Sequence, residues 1–225
     1  AKMKMYNLDG SEGKMCGNGI RCVGKFLYDH GMVDINEKDE ITIETLSGIK
    51  KLKAYTSGGK VNRLRVDMGK AILEPKEIPV VLDGDKVVDR PVEIAGKNYN
   101  ITCVSMGNPH CVVFMDDIDN LDIETIGPEF ENDKLFPERV NTEFVTVLDD
   151  HTIKMRVWER GSGETWACGT GACAVAVAAC ENGFCKKGED IKIKLKGGDL
   201  IINYTDETVY MTGNAEKVLE GEVEV

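Results

Sequence analysis

Apolar and polar residues alternate at period two over much of the chain. Ile41–Glu44, Leu64–Asp67, Ile153–Val157 and Ile191–Leu195 each read as half-buried strands. Two segments break that rhythm. Residues 17–30 set Ile20, Val23, Gly24 and Leu27 at helical spacing and end at His30-Gly31, which predicts a helix closed by a glycine. Residues 169–182 are apolar on nearly every side (Ala172, Cys173, Ala174, Val175, Ala176, Val177, Ala178 and Ala179). That pattern predicts a helix buried all round, running through a sheet-walled lobe. Gly58-Gly59 and Gly197-Gly198 are expected hairpin turns. A short further helix is expected at Glu124–Glu131 despite Pro128.

Both helices open on the same phrase. Cys16-Gly17-Asn18-Gly19 and Cys168-Gly169-Thr170-Gly171 lie 152 residues apart, and the same offset carries Glu12 onto Glu164 and Gly31 onto Gly183. Ile41 and Ile43 likewise correspond to Ile193 and Leu195, and Tyr55-Thr56 recurs as Tyr204-Thr205 at a slightly shorter spacing. The repeat predicts an α+β fold of two pseudo-symmetric lobes, each a curved, mostly antiparallel, barrel-like sheet around a central helix. Residues 1–80 are expected to form the N-terminal lobe, with the C-terminal end a candidate to complete it, and 81–225 the second lobe. The boundary is expected near Leu73–Val88, where Pro75, Pro79 and Asp83-Gly84-Asp85 interrupt the pattern. Only 15 residues precede Cys16, so the first lobe is expected to lack roughly the opening fifty residues of its counterpart.

Composition narrows the function. A 42% hydrophobic content suits a globular core, and a net charge of −11 without a basic stripe argues against nucleic acid or an anionic membrane as partner. No apolar run reaches the ~20 residues of a membrane span. The eight cysteines form no dense framework, and Cys22, Cys173 and Cys180 sit in apolar runs, as expected of reduced, buried thiols in a cytoplasm. Cys22, Cys103, Cys111, Cys173, Cys180 and Cys185 are read as structural, and the absence of Cys-x-x-Cys spacing argues against a metal.

Cys16 and Cys168 carry the chemistry. A thiol at a helix start gains the dipole and free N–H groups, which favour the thiolate. The glycines let backbone amides approach a carboxylate closely. Two such thiols facing one carbon could remove a proton from one side and return one to the other.

These segments closely resemble the two signatures of diaminopimelate epimerase. They are Asn7 to Cys22 (NLDGSEGKMCGNGIRC) and Trp166 to Ala174 (WACGTGACA). Gly107 to His110 (GNPH), Val140 to Phe144 (VNTEF) and Val157 to Arg160 (VWER) follow the same family's pattern in order. The resemblance implies a cytoplasmic homodimer, without cofactor or metal, that converts LL-2,6-diaminopimelate to the meso form for lysine and peptidoglycan precursors. It implies Cys16 and Cys168 as the acid/base pair, with Gly17, Asn18, Gly169 and Thr170 presenting amides to the reacting carboxylate. Glu159 would receive the α-ammonium and Arg160 the distal carboxylate. Asn7, Asn108 and Asn141 would read the distal end, and His110 would assist. The family's opening strand and glycine-rich Asn-Asp-Phe segment have no counterpart here. Two alternatives follow: a proline or hydroxyproline racemase, or an inactive fragment whose two cysteines respond to oxidation.

Overall fold

The computed structural model describes residues 1–6, 10, 12, 13, 15–35 and 39–222. They divide into two compact units, Ala1–Val66 with Thr212–Val225, and Asp67–Met211. The segment Leu73–Val88 lies inside the second unit.

In the first unit a short ladder pairs β1 (Met5–Tyr6) with β2 (Glu12–Gly13), and helix α1 (Gly17–Asp29) follows. Strands β3 (Glu40–Thr45), β4 (Gly48–Ser57) and β5 (Lys60–Gly69) form an antiparallel meander. The expected Gly58-Gly59 turn joins β4 to β5, with φ of 59° and 76°, backbone that glycine adopts without steric cost. Helix α1 buries Gly17, Ile20, Arg21 and Gly24, and at Gly24 it lies against this meander. Gly24 allows the close approach, because a Cβ there would stand 2.8 Å from Leu64 and 3.0 Å from Leu52. Burial on one face has a consequence for Cys22, expected to be buried but found exposed. Two residues past Ile20 is about 200° around a helix, the side away from the sheet.

In the second unit the strands β6 (Arg90–Ile94), β7 (Lys97–Ser105), β8 (Pro109–Phe114), β9 (Asn141–Asp149), β10 (Thr152–Glu159), β12 (Asp190–Leu195) and β13 (Gly198–Tyr204) are neighbours in the order β6-β7-β8-β9-β10-β12-β13. β11 (Gly163–Thr165) pairs only with β10, and β14 (Val209–Asn214) closes the element order. β8 pairs with β9 in parallel, as does β10 with β12, and the other pairs within this run are antiparallel. Helix α2 (Ile123–Glu131), capped by Asp122, packs on β9, β10 and β11. Helix α3 (Gly169–Glu181) touches β7, β8, β9, β12 and β13. A helix in contact with strands so far apart along a sheet is wrapped by it, which is the expected curved sheet around a central helix. Ten of the thirteen α3 residues are buried, as its all-round apolar pattern predicts.

The repeat is visible in the hydrogen bonds that end each helix. Gly31 N–H donates to Tyr28 O and Met32 N–H to Leu27 O, both at 2.9 Å. Gly183 N–H donates to Cys180 O at 3.1 Å and Phe184 N–H to Ala179 O at 2.9 Å. Both ends are Schellman motifs built on a glycine with φ of 65° or 80°. This explains why Gly31 and Gly183 recur at the repeat offset.

Candidate active site

Each helix starts on its cysteine. Cys16 is the N-cap of α1 with φ −128° and ψ 118°, and Cys168 is the N-cap of α3 with φ −117° and ψ 111°. Cys16 Sγ accepts from Gly19 N–H at 3.3 Å, and Cys168 Sγ accepts from Gly171 N–H at 3.4 Å. Serine, threonine or aspartate caps a helix better than sulfur does, so cysteine in both caps is not explained by helix stability. Gly17 and Asn18 occupy the first turn of α1, as Gly169 and Thr170 do in α3.

Around Cys168 the second unit gathers most of the other candidates. Thr170 Oγ1 lies 3.5 Å from the sulfur, and Asn108 Nδ2 donates to that hydroxyl at 3.3 Å. Asn108 comes from the turn between β7 and β8, where Gly107 has φ 98°. His110, fully buried on β8, brings Nε2 to 3.1 Å from Asn108 Oδ1. Parallel pairing sets His110 opposite Asn141. The Asn141 amide is a brace: Nδ2 donates to Pro109 O at 2.9 Å, and Oδ1 accepts from Arg160 N–H at 3.0 Å. Glu159 ends β10 and accepts from the Thr165 hydroxyl across the β10–β11 hairpin. Arg160 Nη1 donates to Glu138 O at 2.8 Å. Asn7, the remaining candidate, lies outside the described residues.

Sequence reasoning missed Glu143 and Glu131. Glu143 is fully buried and places Oε1 2.7 Å from His110 Nδ1. The available signal was a lone acid in the otherwise uncharged first half of β9, beside Phe144 and Val145. Glu131, buried at the end of α2, accepts from Trp158 Nε1, Gly161 N–H and Arg139 Nη1 at 2.7, 2.8 and 3.0 Å. It thereby pins the turn that carries Glu159 and Arg160.

Electrostatics depart from the simple helix-dipole expectation. Burial pushes the Cys168 thiol well up from its ordinary range, the carboxylates of Glu159 and Glu143 add to the rise, and Thr170 and Gly171 oppose it. Desolvation outweighs the helix terminus here. Before substrate enters, Cys168 is therefore held toward its thiol form, with a proton to deliver. Burial likewise raises Glu143, with His110 opposing.

Gly171 makes room for this arrangement. A Cβ at that position would stand 2.6 Å from Glu143 Oε1 and 3.2 Å from Cys168 Sγ. Gly171→Ala is expected to expel the Glu143 carboxylate and lower kcat by about tenfold or more while the fold persists. Steady-state kinetics beside far-ultraviolet circular dichroism check it, and an alanine variant of full activity would contradict it.

Among the described residues there is no group of three or more His, Cys, Asp or Glu side chains that could hold a metal ion, and no helix long and apolar enough to cross a membrane.

Comparison with known proteins adds the family. Among solved structures, a probable proline racemase from Agrobacterium radiobacter K84 with bound carbonate aligns with TM-score 0.70 at 16% identity, covering 95% of this chain and 68% of that one. A hydroxyproline epimerase from Agrobacterium vitis with bound trans-4-hydroxy-L-proline aligns with TM-score 0.70 at 15% identity, over 95% of this chain and 67% of that one. Such distant likeness establishes the fold alone. In sequence, the diaminopimelate epimerase of Agathobacter rectalis is 51% identical over 233 residues, covering all of this chain and 80% of that protein. That of Acetivibrio thermocellus is 53% identical over 226 residues, covering all of this chain and 79% of its own length. The family profile described as Diaminopimelate epimerase matches residues 1–74 and 102–218. Full-length identity at this level, joined to two cysteine-capped helices in register with the internal repeat, means that the chain belongs to the diaminopimelate epimerase family.

Proposed function

We propose that this chain interconverts LL- and meso-2,6-diaminopimelate without a cofactor, using Cys16 and Cys168 as the two acid/base groups. The observation that carries the reading is the pair of matched N-caps, each a thiol that accepts the N–H of the third helical residue. One sulfur takes the α-proton as thiolate, and the other, as thiol, delivers a proton to the opposite face. The held proton on Cys168 fits it for delivery when the substrate enters as the isomer whose proton faces Cys16. For the other isomer the two roles exchange.

Sulfur alone cannot lower the barrier enough. If the α-proton and a thiol differ by about ten pKa units, transfer costs about 14 kcal/mol at 1.36 kcal/mol per unit. Helix dipoles supply ~0.3–2 kcal/mol each, whereas donors aimed at a developing oxyanion supply roughly 3–4 kcal/mol each. The amides of Gly17, Asn18, Gly169 and Thr170 are thus assigned to the reacting carboxylate. Glu159 is assigned to the α-ammonium and Arg160 to the distal carboxylate. Asn7, Asn108 and Asn141 are assigned to the distal end, and His110 to an assisting position beside Cys168. The units Ala1–Val66 with Thr212–Val225, and Asp67–Met211, are taken as the two lobes, each presenting one thiol. The reading also takes the protein to be a cytoplasmic homodimer. The eight cysteines, all free thiols, support the compartment, and family membership supports the dimer.

Incubation with LL-2,6-diaminopimelate and, separately, with L-proline tests the substrate. Chiral chromatography is expected to show the meso product from the first and no D-proline from the second. Racemisation of proline with no meso product would reject the assignment.

A further inference from the structure

Glu143 is buried among strands, and its second oxygen has no hydrogen-bond partner. Keeping a carboxyl there costs stability, so its position asks for another explanation. The polar contacts supply one, because their donors and acceptors run in a single direction.

Asn108 Nδ2 donates to Thr170 Oγ1, which turns Asn108 Oδ1 toward His110. An amide oxygen only accepts, so His110 Nε2 carries a hydrogen. His110 Nδ1 then shares one proton with Glu143 Oε1 across 2.7 Å, whichever of the two atoms holds it. At the other end, Thr170 Oγ1 already accepts from Asn108, and its own hydrogen is free to point at Cys168 Sγ, 3.5 Å away. Turning the Asn108 amide over would draw the Thr170 hydrogen to Asn108 Oδ1 and away from the sulfur.

We propose that Glu143 is a positioning residue that, through His110 and Asn108, fixes the Thr170 hydroxyl as a hydrogen-bond donor to the Cys168 sulfur. The proposal rests on Cys168 being a proton-transfer group. It adds that a residue with no contact to the substrate-facing amides sets the acidity of that thiol. Gly171, whose Cβ would strike Glu143 Oε1, is the space the carboxyl requires.

The titratable groups around this corner come from several strands. Glu159 faces it from β10, Glu143 from β9 and His110 from β8. Cys111 on β8 lies beside Glu143 and pairs with Cys103 on β7, and burial holds Cys111 as a thiol. The charged residues of β12 (Asp190, Lys192 and Lys194) are exposed on the other face. Tyr204 of β13 engages Glu181 at the far end of α3.

The test reads the sulfur directly and needs no turnover. Alkylation of Cys168 by iodoacetamide is followed against pH by mass spectrometry of its peptide, in substrate-free wild type, Glu143→Leu, Glu143→Gln, Thr170→Val and the Leu/Val double variant. Thr170→Val is expected to raise the midpoint by about one pH unit, roughly fivefold slower labelling at the wild-type midpoint. Glu143→Leu and Glu143→Gln both remove the carboxylate whose charge raises the thiol, so they are read against each other. In Glu143→Gln the side-chain amide can donate to Nδ1 and preserve the direction, so its midpoint should lie at or below that of wild type, and Glu143→Leu should lie about one unit above Glu143→Gln. Adding Thr170→Val to Glu143→Leu is expected to give no further rise, since both substitutions cut one chain. Equal midpoints in Glu143→Leu and Glu143→Gln overturn the proposal, as does a further rise of about one unit in the double variant. If Glu143→Leu does not fold, an unmoved midpoint in Thr170→Val still overturns it. Loss of the epimerase reading would leave every one of these midpoints interpretable.

Discussion

Cys16→Ala and Cys168→Ala are each expected to lower kcat for LL-diaminopimelate by about 10³-fold or more, the scale of removing a positioned acid or base. The two losses should not add. Once one face of the carbon has no proton carrier, inversion stops whether or not the other thiol remains, and the double variant should be no worse than the weaker single variant. Each single variant should remain folded, because alanine costs only a weak sulfur cap of about 1 kcal/mol. Time courses of meso product, normalised to protein with native circular dichroism, measure this directly. Turnover within tenfold of wild type in either variant would contradict a reaction that needs both.

The second large effect is expected at Glu131, which touches neither cysteine. Its carboxylate accepts from the Trp158 indole, the Gly161 backbone and Arg139. Glu131→Ala leaves the indole N–H and the Gly161 N–H without their acceptor. Each orphaned donor costs roughly 1–3 kcal/mol, while Arg139, more than half exposed, returns to water. The sum is about 3 kcal/mol, or a fall in Tm of roughly 6–12 °C for a protein of this size. Because the carboxylate anchors the turn that carries Glu159 and Arg160, KM should rise more than kcat falls. Glu131→Gln, which keeps an acceptor oxygen, should lose less on both counts. A Glu131→Ala protein within 0.5 kcal/mol of wild type would show that the turn holds itself.

The sequence made the local features legible. The Cys-Gly-x-Gly phrase marked both helix starts, and Gly31 and Gly183 marked both ends, since caps are set by residues adjacent in the chain. The all-round apolar run of 169–182 announced a helix enclosed by sheet. What depends on pairing between distant strands stayed hidden. Glu143 meets His110 only because β8 and β9 run parallel, a connection that needs α2 and its loops to cross between them. No spacing within either motif reveals that alignment. Cys22 was misjudged for a related reason: its apolar neighbours in sequence face the meander, but a helix turns its own residues apart. The raised Cys168 thiol is likewise a tertiary effect, since the helix start was readable and the two carboxylates around it were not.

The claim that two sulfurs serve opposite faces of one carbon has a direct isotopic consequence. In D₂O, with LL-diaminopimelate and sampling before a tenth of the substrate is consumed, product and residual substrate are separated and their α-deuterium measured. Separate donor and acceptor thiols should give meso product carrying solvent deuterium at the inverted carbon, while recovered LL-substrate keeps its protium. Equal deuterium in both pools at that early time would mean that one group removes and returns the proton, and the paired-thiol account would be wrong.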